Sequence, residues 1–333
     1  MLEATMTPGQ RWAAGQAGRL DVVSETDRHG KPLRTVIDMD TGLVRNDPIP
    51  GDAELAKFYS EDYRTSYKGA AKPRGRQILR NFRRVAAHIE QFVDVLEPAK
   101  AVLDVGAGSG EFAFLMTEAA KHVIGIEPNA GYAAYCREDL GLDVRTAHLS
   151  PELFDTASFD LIRLNHVLEH LNDPSGYLAM MAEWLAPNGL LYVEVPNIEV
   201  YAREKSRGNM FHFGHIFNFN PWTLRTAAAL AGLVEADETA ARSADTTGVF
   251  FRKAPSLQDV VTTNPENAEK VREAIRRHYA GEYRDGKTAK PFVKLSHRVE
   301  ETLSAASMGS PKAIGLKVAR ALQGASRPGG PKA

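Results

Sequence analysis

The sequence predicts a doubly wound α/β protein with a mostly parallel sheet, on two observations. From Ala101 onward, short apolar runs bounded by turn residues alternate with stretches of helical periodicity. The first run leads straight into glycines at alternate positions: Leu103-Asp104-Val105-Gly106-Ala107-Gly108-Ser109-Gly110. A helical stretch follows at once, with Phe112, Leu115, Met116 and Ala119 on one face. Strand, glycine turn and helix start make a cradle for a nucleotide-type ligand. Glycines let the backbone pass close to the ligand, and the helix N-terminus offers free N–H groups.

In chain order, residues 1–50 are polar, with short strands at 20–23 and 33–37 and a turn through Thr41-Gly42-Leu43-Val44. Residues 52–68 space Leu55, Phe58, Tyr59, Tyr63 and Tyr67 as a helix does. An amphipathic helix follows over 77–96, built on Ile78, Phe82, Val85, Ile89, Phe92 and Leu96, with Arg76, Arg80, Arg83 and Arg84 on its other face. Those arginines read as a solvated face, or else as a patch for an acidic substrate. Strands are expected at 101–105, 122–126, 142–145, 159–164, 190–195, 233–237 and 248–252, and helices at 110–120, 129–139, 175–186 and 221–231. Such alternation joins parallel strands by helical crossovers, hence a seven-stranded, mostly parallel sheet. After Pro255 the chain turns charged and helical, at 268–279, 293–306 and 314–322. The expected organisation is therefore a small β unit and lid over 1–70, a nucleotide-type domain over 71–254 and a helical C-terminal appendage over 255–333.

Composition narrows the function classes. Formal net charge is −1, so nothing pulls the chain as a whole toward nucleic acid or an anionic membrane. Cys136 is the single cysteine, which excludes an internal disulfide and a cysteine-based zinc site and fits a reducing, cytoplasmic compartment. No signal pattern and no apolar run of membrane-spanning length is present, so no membrane span is expected.

The glycine turn departs from a dinucleotide fingerprint, whose third glycine lies three positions after the second. Here the spacing is Gly106, Gly108, Gly110, with Asp104 in front. A phosphate cradle does not want that acid; a ligand bearing an α-amino group does. Glu127, in Val123-Ile124-Gly125-Ile126-Glu127-Pro128-Asn129, ends the second strand, where a carboxylate can accept both hydroxyls of a ribose.

Four segments in order, LDVGAGSGEF, GIEPN, FDLIRLNHVLEHLNDP and LAPNGLLYVEVPN, resemble the class I S-adenosylmethionine-dependent methyltransferases over about residues 98–254. The resemblance implies a Rossmann-like fold and S-adenosyl-L-methionine as cofactor. It implies that Asp104 and the backbone of Gly106, Ala107, Gly108, Ser109 and Gly110 hold the methionine part. Glu127, with Pro128 beside it, would hold the ribose, and Asn165 and His166 would line the methyl-transfer channel.

Methyl transfer from a sulfonium is an in-line displacement, so the protein mainly aligns the acceptor and removes a proton. Base candidates are His166, Glu169 and His170 in NHVLEHL, and His212 and His215 in FHFGHIFNFN. The second cluster falls at the C-terminal rim of the sheet, where open α/β sheets bind ligands. His215 is the favoured base, with His212 as helper and His166 beside the cofactor. His170 and Phe211 are expected at the substrate, Phe211 as part of an aromatic stacking or lid surface.

Many methyltransferases of sugar and polysaccharide pathways carry Glu-His before an aromatic run at this place. Gly214-His215 keeps the histidine and lacks the glutamate, against the carbon-methylating version. The same families often begin with a zinc ribbon. Asp38 and Thr41 stand where its cysteines would, so no metal is expected, and Tyr63, Tyr67 and Lys68 would form a lid over the cofactor and acceptor.

The expected function is methyl transfer to an oxygen of a small molecule or sugar, with no nucleic-acid partner. The alternatives are an N- or C-methyltransferase on a quinone-like or lipid acceptor, or a non-catalytic cofactor-binding scaffold.

Overall fold

The structure, a computed structural model, describes residues 6–58, 73, 75–204, 208–236, 247–255, 259–283 and 309–325. The chain forms two compact units, one of Met1–Lys68 with Leu164–Gly286 and one of Gly69–Arg163 with Lys287–Ala333.

In the second unit, helix α3 (Gly75–Gln91) and the short α4 (Val93–Leu96) lead into strand β4 (Ala101–Val105). Helix α5 (Glu111–Glu118), β5 (His122–Ile126), α6 (Ala130–Tyr135) and β6 (Val144–Arg145) follow, then β7 (Phe159–Asn165), which enters the first unit at Leu164. Helix α6 widens at Cys136–Leu140 and stops at Gly141, which adopts the left-handed conformation that ends helices. The C-terminal helix α11 (Pro311–Ala325) belongs to this unit. Its Gly315 faces Phe114 of α5 and Phe82 of α3, which meet edge to face at 5.5 Å.

The first unit holds a small antiparallel sheet of β1 (Leu20–Thr26), β2 (Pro32–Asp38), β3 (Val44–Asn46) and β9 (Phe217–Asn218), in the order β1-β2-β3-β9. Its remaining elements are α1 (Pro8–Ala14), α2 (Asp52–Lys57), α7 (Pro174–Trp184), β8 (Leu185–Glu194), α8 (Ile198–Glu204), α9 (Pro221–Leu230), β10 (Leu233–Glu235), β11 (Gly248–Lys253) and α10 (Pro265–Tyr279). A buried cluster of Ile37, Val44, Ile198, Phe211, Val271 and Ile275 ties the small sheet to α8 and α10.

The large sheet has seven strands in the order β10-β11-β8-β7-β4-β5-β6. β4–β5 and β5–β6 are parallel, and β11 runs antiparallel to both β8 and β10. The chain starts in the middle at β4, steps outward to β6, then returns to β7 and goes the other way. The doubly wound expectation therefore holds, and the glycine turn follows β4 where the strand order reverses. β8 starts at Leu185, so the Pro187-Asn188-Gly189 turn lies inside its range. The helix expected at 293–306 lies outside the described residues. Among the described residues no helix is long and apolar enough to cross a membrane.

Candidate active site

The glycine turn takes its shape from backbone angles only glycine adopts freely. Gly106, Gly108 and Gly110 have φ of 68°, 56° and 78°. A Cβ on Gly110 would meet Cys136 Sγ at 2.8 Å, so packing also demands glycine there. Around Gly108 a Cβ would find only the Gly106 carbonyl, at 3.9 Å, so the turn keeps open space at its middle glycine. The turn is braced by donation from Ala107 N–H to the Ile126 carbonyl and from the Cys136 thiol to the Gly108 carbonyl. Ser109 Oγ donates to the buried carboxylate of Glu111 at 2.7 Å, and Asn81 donates to the same oxygen.

Glu127 sits where the sequence places it, at the end of β5. Its Oε2 accepts from Gly108 N–H and its Oε1 from Asn129 N–H, each at 2.8 Å. One carboxylate thus joins the glycine turn to the start of α6. Each carboxylate oxygen carries two lone pairs, so it can accept from more than one donor. With Glu127 and Glu111 beside it, the turn disfavours phosphate and suits a ligand with hydroxyl and cationic groups. Pro128 follows at the exposed edge of this carboxylate.

Asp104 is not where a ligand-facing acid was expected. It is fully buried, and its Oδ1 accepts from Arg163 of β7 at 2.8 Å. Burial pushes its pKa up, opposed by the Arg163 charge. The guanidinium also lies 4.4 Å over the ring of Phe112. The cationic partner is thus met inside the fold, while Asp104 Oδ2 has no hydrogen-bond partner. The signal for this pair was an arginine inside the apolar run Leu161-Ile162-Arg163-Leu164, which sequence reasoning left unused.

The histidines form a second constellation, in the other unit. Asn165 ends β7, and His166 follows with φ 57°, a left-handed angle that costs a non-glycine residue about 1–3 kcal/mol. Its backbone N–H donates to the Glu194 carbonyl at 2.8 Å. Its side chain is 48% exposed, with Nδ1 3.5 Å from Glu169 Oε1 and Nε2 3.8 Å from Glu194 Oε1. Glu169 and His170 lie on the turn Leu168–His170. Glu169 is 1% exposed.

His212 and His215 arrive from far along the chain, carried by a segment that the small sheet clamps. Strand β9 pairs antiparallel with β3, setting Phe217 opposite Arg45 and Asn218 opposite Val44. Asn46 N–H donates to the Ile216 carbonyl, its side-chain amide to the Phe213 carbonyl, and Arg28 N–H to the Phe211 carbonyl. The rings of His212 and His215 are 4.0 Å apart, and those of His170 and His215 4.9 Å apart, nearly perpendicular. Burial first, then the neighbouring His170, His212 and His166, push the pKa of His215 far down. Such an imidazole stays neutral and accepts a proton weakly. That argues against His215, the favoured base, and toward the exposed His166 beside two carboxylates. Phe211 is 1% exposed in the apolar cluster, so it has no free face to stack on a substrate. Tyr63 and Tyr67 lie outside the described residues.

Where the ribbon cysteines would stand, hydrogen bonds close the turn. Asp38 Oδ1 accepts from Asp40 N–H at 2.7 Å, and Thr41 Oγ1 from Leu43 N–H at 3.0 Å. A separate cavity of about 800 Å³ lies among α8, α9 and α10, lined by Glu199, Arg203, Trp222, Lys270, Glu273 and Arg277. Its charges are of both signs, and Lys270 pairs with Glu199 at 2.9 Å, so it selects no ligand class.

Residues 78–236 match the family described as "Methyltransferase domain". The chain is 30% identical over 151 residues to a probable S-adenosylmethionine-dependent methyltransferase of Mycolicibacterium smegmatis, covering 45% of this chain and 54% of that protein. It is 33% identical over 104 residues to a ubiquinone biosynthesis O-methyltransferase of Aromatoleum aromaticum, covering 29% and 44%. The chain thus spans about half the length of these curated relatives. Among solved structures, a 1,6-didemethyltoxoflavin-N1-methyltransferase of Burkholderia thailandensis is 20% identical, with a TM-score of 0.43, covering 67% of this chain and 96% of that one. The strand order, the glycine turn with its acid on β5, and the family match agree in placing a methyltransferase domain at residues 78–236.

Proposed function

We propose that the protein transfers the methyl group of S-adenosyl-L-methionine to an oxygen of a small molecule or sugar. The observation that carries this reading is the glycine turn held by Glu127, open at Gly108, inside a methyltransferase domain. In this reading the turn receives the methionine part and Glu127 takes the ribose hydroxyls. Asp104 acts through its bond to Arg163, fixing the strand end that carries the turn. Asn165 and His166 come two and three positions after that arginine in the chain. His166 takes the acceptor's proton, and Glu169 and Glu194 balance the imidazolium so formed. His212 and His215 shape the buried side of the cluster. The likeness to the ubiquinone biosynthesis O-methyltransferase favours an oxygen acceptor, and a proton-accepting histidine suits a hydroxyl, which must lose its proton. The lone, buried Cys136 suits a reducing cytoplasm.

Calorimetry with S-adenosylmethionine tests the cofactor half. Glu127→Ala should bind at least tenfold more weakly, about 1.4 kcal/mol. An unchanged affinity would sink the assignment. Label transfer from methyl-labelled cofactor to hydroxyl-, amine- and carbon-acid-bearing acceptors tests the other half. His166→Ala should keep cofactor affinity and lose turnover; full turnover removes it as the base.

A further inference from the structure

We propose that Glu169, His170 and His215 bind a divalent metal ion of the zinc type. The proposal rests on reading this cluster as the place where the acceptor is activated, and it adds the means. One ligand atom from each residue falls within 4.8 Å of the other two, close enough for small side-chain movements to bring all three onto one ion. The sequence led to the expectation of no metal in the chain; this set lies apart from the degenerate ribbon and was hidden in Leu168-Glu169-His170 and a histidine far downstream.

Two further observations point to a missing positive charge. Glu169 is 1% exposed, and neither of its carboxylate oxygens has a hydrogen-bond partner. Burying a carboxylate without hydrogen bonds or a counter-charge costs several kcal/mol. In addition, His170 Nδ1 is hydrogen-bonded to the Gly214 carbonyl, which fixes Nδ1 as the donor. Its Nε2 then faces Glu169 Oε1, 3.8 Å away. A carbonyl that orients a histidine through its other nitrogen is also the usual support of a metal-bound imidazole.

The donor set names the class of ion. Two imidazole nitrogens and one carboxylate suit zinc and its neighbours in the first transition row better than magnesium or calcium, which prefer oxygen throughout. Three protein ligands leave a coordination position for the acceptor oxygen. An oxygen bound there would lose its proton to His166 more readily. Its electron pair would then form the bond to the methyl carbon as the carbon–sulfur bond breaks, releasing neutral S-adenosylhomocysteine.

The test is a Co2+ titration of the chelator-treated full chain, followed by visible absorption. One Co2+ per chain should bind with d–d bands altered from those of the aqueous ion. Glu169→Gln and His170→Asn should each weaken binding at least about tenfold. Zn2+ should raise the melting temperature of the wild type and not of the variants. Circular dichroism establishes that each variant is folded; if one is not, the wild-type titration and the other variant decide. Absence of altered bands in the folded wild type overturns the proposal, as does equal affinity in wild type and folded variants. S-adenosylmethionine binding, measured separately, distinguishes the two readings. Its loss sinks the methyltransferase assignment and leaves the Co2+ result standing.

Discussion

Cys136 shows how one side chain carries both packing and pH dependence. The thiol is fully buried beneath the glycine turn, and burial, reinforced by Glu111 and Glu127, pushes its pKa up to about 12. In the unfolded chain a cysteine ionises near about 8.5. Below that pH both states keep the proton, and the thiol exacts no penalty. Between the two values only the unfolded state releases it, so stability should fall by up to about 1.4 kcal/mol per pH unit. Urea unfolding of wild type and Cys136→Ala from pH 8 to 10 should show the steeper decline in the wild type; parallel profiles would refute it. Sequence alone gave this residue as a reduced thiol and nothing more. Its place under Gly108 depends on the widened end of α6, which no local pattern announces. Glu127 was legible for the opposite reason. Strand, acid and helix start are contiguous, so its geometry follows from local structure.

At the level of elements, α11 meets the domain through Gly315. A Cβ there would lie 2.6 Å from one Phe114 ring carbon and 2.9 Å from a Phe82 ring carbon. Aromatic rings packed edge to face yield little. Gly315→Ala should therefore destabilise the protein by about 1–3 kcal/mol by overpacking, outweighing the roughly 1 kcal/mol that alanine gains in a helix. The midpoint of urea unfolding reads this directly; a rise would show that the helix yields. Strands β4 and β5 were readable from apolar runs because buried parallel strands show uninterrupted hydrophobicity. The Asp104–Arg163 pair joining β4 to β7 was not, since pairing between strands leaves no mark in either strand's own pattern.

For the whole molecule, cofactor binding should couple to folding. At a free S-adenosylmethionine concentration 100 times its Kd, the wild type should gain about 2.7 kcal/mol, seen as a rise in melting temperature that is at most about half as large in Glu127→Ala at the same concentration. An equal rise in both would show that the ligand acts elsewhere. The histidine site belongs to this scale too. His166, Glu169 and His170 are neighbours in sequence, whereas His212 and His215 reach them because β9 adds to β3 of a small sheet made largely from the chain's beginning. The expected ribbon frame thus became a support: Asp38 and Thr41 close their turn by hydrogen bonds, and β3 holds the segment carrying the histidines.

The sequence by itself determined the sheet, the glycine turn and the acid that answers it. Each rests on residues within a few positions of one another, where periodicity and glycine conformation act directly. The tertiary structure decided which charges are met inside the protein and which histidines converge. Burial and pairing depend on segments far apart in the chain: Arg163 beside Asp104, and Gly214 and His215 beside His170. Only the folded protein sets a buried Glu169 among imidazoles with no hydrogen bond to either oxygen.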